Sequence, residues 1–167
     1  MCSSDLIEII HSSPNRVSPP CLYSKPGGCG GCDFQHVSLQ QQRELKRAVI
    51  REQFSRVAKM DIQIFVEEVL PTERWRTRMD FTVSENRKLA LYASRSHHLV
   101  EIDSCYIADQ AIAVAEINTR KLPIGSKVHV AVGSDKRIEI GIEGRESSAI
   151  LEQVVDQRKY SISPTSF

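Results

Sequence analysis

The chain has 167 residues, 41% of them hydrophobic and 26% charged, with a formal net charge of +1. That composition excludes a disordered, collagenous or coiled-coil protein, and the length allows one moderate core with a small satellite. No apolar run reaches the roughly 18 residues that a membrane-spanning helix needs, and the start lacks the basic and long apolar regions of a secretory signal. A cytoplasmic location without membrane association is therefore expected. In that compartment cysteines serve as metal ligands or catalysts more often than in disulfides. The total of five is odd, which also fits a closed disulfide framework poorly.

Residues 1–6 coincide with the translation of a common sequencing adapter, so they are read as partly artefactual and Cys2 receives no role. "IEII" at 7–10 reads as the last strand of a preceding domain, and "HSSPNRVSPP" as a linker. The cysteine-rich loop "CLYSKPGGCGGCDFQH" fills 21–36. A helix is predicted over 38–59, opened by a capping box of Ser38 and Gln41 and striped by Leu45, Val49, Ile50, Phe54 and Val57. Its Arg43, Lys46, Arg47, Arg51 and Arg56 read as a solvated face, or as the rim of a surface that packs on another domain.

A strand is predicted at 62–70, followed by three more at 75–83, 88–94 and 97–103 with a turn at Glu85-Asn86. A second helix is expected from Ala108 to Arg120, stopped by Leu122-Pro123. "KVHVAVG", "RIEIGIE", "AILEQVV" and "KYSIS" complete the chain as short strands. Helices and strands mix without a βαβ rhythm, so the fold class is α+β: an antiparallel sheet with flanking helices and a cysteine-rich loop.

Three cysteines follow the spacing Cys21-x7-Cys29-x2-Cys32, and Cys105 stands 72 residues further on. Four thiolates suit tetrahedral zinc or a [4Fe–4S] cluster, and the interleaved glycines permit tight turns with amide N–H groups aimed at sulfur. Zinc sites usually bring two C-x2-C pairs, and only one is present here. His36 offers an alternative fourth zinc ligand, and a redox C-x2-C is a further option. The plain alternative makes Cys105 a buried core thiol. His97 and His98 alternate across a strand and cannot serve one site.

Arg74, Arg76 and Arg78 alternate along one strand and are expected to share a face suited to RNA phosphates. Arg95, with Arg87 and Lys88, would extend it. Trp75 falls on the opposite face and is assigned to the core rather than to a stacking platform. A solvated strand face without a partner is the simpler alternative, and the near-zero net charge agrees with it.

"SPNRVSPPC", "CGGCDFQH", "WRTRMDF", "SRSHHLVEIDSC" and "YSISPTSF" occur in this order over residues 12–167. Together they resemble the S-adenosylmethionine-dependent RNA uracil-C5 methyltransferases, especially the iron–sulfur branch acting on 23S ribosomal RNA. The resemblance implies a [4Fe–4S] cluster on Cys21, Cys29, Cys32 and Cys105, although seven residues separate the first two where five is commoner. It implies RNA as partner, 23S ribosomal RNA ahead of transfer RNA, with Arg74, Arg76, Arg78 and Arg95 contacting it. Phe167 aligns with an aromatic near the flipped target base, and a plain core phenylalanine is the alternative. The implied organisation places the end of an OB-like (TRAM) domain and a linker in 1–20 and the central cluster domain in 21–159. Residues 160–167 would lead into a catalytic domain in cis that binds S-adenosylmethionine. The catalytic cysteine would lie there, since the "IDSC" context of Cys105 matches a cluster ligand rather than a nucleophile. On this reading the chain alone is inactive. The rival reading is a self-contained zinc- or iron–sulfur-dependent RNA-binding module.

Overall fold

The computed structural model describes residues 8–145 and 149–164. They divide into two compact units, the first from the segments up to Pro20 and Asp33–Glu68, the second from Cys21–Cys32 and the segment from Val69 onward.

The first unit is built on helix α1 (Leu39–Gln53), continued by a π-helical turn at Phe54–Ala58 and stopped by Lys59 at φ 57°. Ser38 caps it, accepting from the Gln41 N–H at 3.4 Å. The reciprocal half of the expected capping box is absent. Ser38 N–H donates to the Asn15 carbonyl at 2.9 Å, and the Gln41 side chain accepts from Asn15 Nδ2 at 3.0 Å. The proline- and serine-rich segment is thus pinned to the helix start, with Arg16 bridging Val37. Glu8–Ile10 are not in a strand, contrary to expectation; Ile7 lies outside the described residues.

The strand expected at 62–70 is also not formed. Ile62, Ile64 and Val66 keep the alternating burial of a strand, yet no neighbouring strand supplies a ladder. The segment instead runs back along α1 and is gripped by arginines one turn apart. Arg43 pairs with Glu68 at 3.0 Å, the Arg47 guanidinium lies 5.3 Å from the Phe65 ring centre, and Arg51 pairs with Asp61 at 3.5 Å. The basic helix face expected to be solvated is largely engaged within the unit. An apolar groove of about 360 Å³ remains, lined by Phe34, Leu45, Val49, Ile50 and Val66.

The second unit holds a five-stranded antiparallel sheet of β1 (Arg78–Val83), β2 (Leu89–Tyr92), β3 (Leu99–Glu101), β4 (Lys127–Val132) and β5 (Ile138–Ile142), ordered β3-β2-β1-β4-β5. Met79, Phe81 and Val83 of β1 and Val128, Val130 and Val132 of β4 alternate into the core. Ile102, Ile112, Val114, Ile117 and Leu122 cover that face. The turn at Glu85-Asn86 is as expected: Arg87 adopts φ 60° and Ser84 closes the hairpin through Lys88.

The helix expected over 108–120 shrinks to α2 (Val114–Ile117). The cause is local. Asp109 accepts from the Ala111 N–H at 3.0 Å, a side-chain turn that competes with helical hydrogen bonding. Ala113, at φ −77° and ψ 81°, then lies outside the helical region. Beyond α2, Asn118 accepts from the Leu89 N–H at 2.7 Å and donates to the Ile102 carbonyl at 2.9 Å, joining the covering segment to β2 and the end of β3.

A separate hairpin of β6 (Leu151–Val155) and β7 (Arg158–Ile162) turns through Asp156 and Gln157, both at positive φ, which is the twist two-residue hairpins favour. Ser134 N–H donates to the Glu152 carbonyl and ties this hairpin to the β4–β5 turn. The class is therefore a mixed α and β fold with an antiparallel sheet and little helix in this unit.

Candidate functional site: a three-cysteine loop with Cys105, and an arginine-flanked tryptophan

The loop carrying Cys21, Cys29 and Cys32 is ordered by backbone hydrogen bonds before any ligand is considered. Lys25-Pro26-Gly27-Gly28 makes a type II turn, with Gly27 at φ 71° and the Gly28 N–H donating to the Lys25 carbonyl at 2.8 Å. Cys29 N–H donates to the Tyr23 carbonyl at 3.0 Å, and Gly30 N–H to the Tyr92 carbonyl at 2.9 Å. Cys29 also bridges Ala93 in antiparallel fashion, so the loop adds a short rung at the end of β2. A side chain on Gly30 would meet the backbone of Ser94, its Cβ 2.7 Å from the Ser94 Cα.

Cys105 approaches from the end of β3. Asp103 N–H donates to the Tyr23 hydroxyl at 2.9 Å, joining a residue two after Cys21 to one two before Cys105. None of the four cysteines is in a disulfide. Burial pushes the Cys29 thiol up, the Gly31 N–H aimed at its sulfur at 3.4 Å draws it down, and Cys105, Cys32 and Cys21 each push it up again. The net direction is upward, as expected where several groups that become anionic face one another. Among the described residues, no three His, Cys, Asp or Glu side chains form a group that could hold a metal ion. The four-cysteine metal centre expected from sequence is therefore not assembled as a single-ion site. A tetrahedral zinc site would require thiolates about 3.8 Å apart, from Zn–S bonds of about 2.3 Å.

The arginines separate into two groups. Arg76 and Arg78 line one pocket of about 480 Å³ with Trp75, Thr77, Asp80 and Pro164. Arg76 Nε donates to the Arg78 carbonyl at 3.1 Å. Arg74 precedes β1 with φ 56°, so strand alternation does not extend to it. Arg95 is exposed in the β2–β3 turn at φ 52°. Arg87 and Lys88 are engaged, the first with the Leu122 carbonyl at 3.0 Å and the second with Asp103 at 3.6 Å. Trp75 is not in the core: half its surface, 52%, is exposed. Alternation assigned it wrongly because β1 begins only at Arg78, and the segment before it follows residues 106–109 instead. Arg74 N–H donates to the Tyr106 carbonyl, Arg76 N–H to that of Ile107, and Asp109 N–H to that of Arg76. The Asp80–His129 contact at 2.7 Å was not foreseen, because it joins residues 49 apart through the β1–β4 register. Phe167 lies outside the described residues. Among those described, no helix is long and apolar enough to cross a membrane.

No family model matches the chain. It is similar to proteins described as uncharacterized RNA methyltransferases. The one from Streptomyces coelicolor is 34% identical over 148 residues, 80% of this chain and 32% of the relative. That from Streptomyces avermitilis is 36% identical over 129 residues, 70% of this chain and 30% of the relative. That from Clostridium tetani is 37% identical over 112 residues, 63% of this chain and 23% of the relative. The chain thus spans a third or less of the length of these relatives.

Proposed function

We propose that this chain is the RNA-contacting, cluster-bearing segment of an S-adenosylmethionine-dependent RNA methyltransferase that modifies C5 of uridine, with 23S ribosomal RNA as substrate ahead of transfer RNA. The observation that carries this reading is the stitching of the loop around Cys29 to the strand end that leads to Cys105, with Cys21, Cys32 and Cys105 all acting on the Cys29 thiol. The similarity to proteins described as RNA methyltransferases supports that class of enzyme.

Cys21, Cys29, Cys32 and Cys105 would hold the [4Fe–4S] cluster. The donor set suits it: four cysteines outside any disulfide, one amide N–H directed at sulfur, and thiols in mutual electrostatic range. When bound, such a cluster supplies a covalent cross-link between loop and sheet and a site for electron transfer, and the split ligand set favours the first role. The chain's own residues prepare it. The type II turn folds the seven-residue gap, the Tyr23–Asp103 hydrogen bond fixes the approach of Cys105, and Gly31 N–H supports anionic sulfur at Cys29.

Arg74, Arg76, Arg78 and Arg95 would meet RNA phosphates, the guanidinium being suited to phosphate geometry. Phe167 would stand near the target base. Methyl transfer from S-adenosylmethionine is assigned to the longer protein, through a catalytic domain in cis, and the 167-residue chain alone would be inactive.

Anaerobic reconstitution of the purified chain with iron and sulfide tests the reading. Absorbance near 400 nm and about four iron and four sulfide per chain are expected, with both lost in Cys29→Ser and Cys105→Ser. A chain that takes up zinc but no iron and sulfide would overturn the cluster assignment.

A further inference from the structure

We infer that the pocket around Trp75 is a nucleobase-binding site, in which an unstacked base of single-stranded RNA lies on the indole while Arg76 and Arg78 meet its flanking phosphates. The inference rests on the proposed RNA contact and deepens it, because it assigns a base-reading element to a surface otherwise read only as a phosphate contact.

Three observations carry it. The first is exposure. Trp75 is the only tryptophan in the chain, and 52% of its surface stays exposed although it precedes a strand whose Met79, Phe81 and Val83 are buried. A large exposed aromatic forgoes its burial energy and is the residue type most suited to anchoring a partner. The second is rigidity. The backbone on both sides of Trp75 is tied down, at Arg74 through the Tyr106 carbonyl and at Arg76 through Ile107 and Asp109, with Arg76 bridging Ala108 in parallel. The backbone that presents the indole therefore needs little further ordering when a ligand binds.

The third is the chemistry of the walls. A pocket of about 480 Å³ is lined by the indole, two arginines, Thr77, Asp80 and Pro164. Arg76 Nε is anchored on the Arg78 carbonyl, which fixes one edge of the guanidinium while its other donors remain available to an anion. Asp80, beside His129 at 2.7 Å, is an acceptor at the pocket wall for an N–H on a base edge. An aromatic face beside paired cations is the arrangement that binds single-stranded nucleic acid, by stacking and phosphate neutralisation together.

The lone tryptophan makes the test direct. The 167-residue chain is titrated with a 5′-fluorescein single-stranded oligouridylate or oligoadenylate about twelve nucleotides long. RNA anisotropy reports binding, and Trp75 emission reports stacking. Quenching that tracks anisotropy is expected, with no quenching by inorganic polyphosphate. Trp75→Ala should weaken binding about tenfold while Trp75→Phe stays within about threefold of the parent. Arg76→Gln should weaken it with a loss of about 0.7 in the slope of log K against log salt. Binding with unchanged Trp75 emission and an unaffected Trp75→Ala variant would overturn the stacking site but leave the RNA contact standing. Equal quenching by polyphosphate would reduce the pocket to an anion site and also overturn the inference. Absence of any anisotropy change would overturn the RNA contact itself, and the inference with it.

Discussion

Replacing Asn118 with alanine should destabilise the second unit out of proportion to the atoms removed. Its side chain accepts from the Leu89 N–H at 2.7 Å and donates to the Ile102 carbonyl at 2.9 Å and to Asp103 at 3.0 Å. Leu89 and Ile102 are essentially buried, at 0% and 2% exposure, so truncation orphans one donor and one acceptor in the interior. Each such group costs about 1–3 kcal/mol. Asn118 is itself half-buried and water can enter behind it, so the lower end applies, about 2–3 kcal/mol in total. At about 2–4 °C per kcal/mol for a chain of this size, the midpoint should fall by about 5–10 °C. Asn118→Asp supplies the control: it keeps an acceptor for Leu89 but loses both donors and sets a carboxylate against Asp103. It should be at least as damaging at neutral pH and recover partly on acidification. Thermal melts and urea denaturation of the reduced, metal-free chain, with amide exchange at Leu89, measure both. An Asn118→Ala midpoint unchanged at constant m-value, with Leu89 still protected, would refute the reasoning.

Asp109 is buried and bonded to Lys136 at 2.6 Å. Burial raises its carboxyl pKa, but hydrogen bonds from Lys136 and Ala111 and the Lys136 charge together hold it below the usual carboxylate value. A depressed native pKa gives stability that is complete above the unfolded value and is lost as pH falls through the native one. Asp109→Asn should therefore flatten the acid limb of the stability profile below about pH 4, read by thermal melts across pH. Gly30→Ala should disturb the Cys29–Ala93 rung and lower iron uptake on reconstitution, while the core melts within about 1 kcal/mol of the parent, since only the loop must move away from Ser94. Phe81→Ala, at a side chain 2% exposed between β2 and β4, should cost about 3–5 kcal/mol in urea denaturation.

The sheet was legible because β1 alternates throughout and β4 as far as Val130, and alternation is the direct imprint of a half-buried pleated surface. Val128, Val130 and Val132 could face only one way. The failures share a cause. The 62–70 segment has strand-like alternation, but a strand also needs a partner, and the arginines of α1 engage it first. The 108–120 segment has helical spacing, but Asp109 offers its neighbours a competing hydrogen bond whose value depends on Lys136, 27 residues away. Periodicity records which side chains are buried and says nothing about which backbone groups find one another. The cysteine spacing marked out the loop; it could not report that Tyr23 and Asp103 join that loop to the segment leading to Cys105.

The same distinction explains why Trp75 was misplaced. A period of two was carried back from β1 through residues that are not part of its ladder, and Arg74 at positive φ breaks that period one residue before the indole. The backbone there is nevertheless as firmly held as in a strand, by carbonyls of 106, 107 and 76. Residues 106 and 107 follow directly on Cys105, so the segment that presents Trp75 is hydrogen-bonded to the chain leaving the fourth cysteine. Cross-linking Cys105 to the loop would thereby also steady the platform under the indole. On this argument the Cys105→Ser chain should bind single-stranded RNA with a smaller quench of Trp75 emission than the reconstituted parent, at similar anisotropy amplitude. Identical quenching in the two would separate the cysteine loop from RNA recognition.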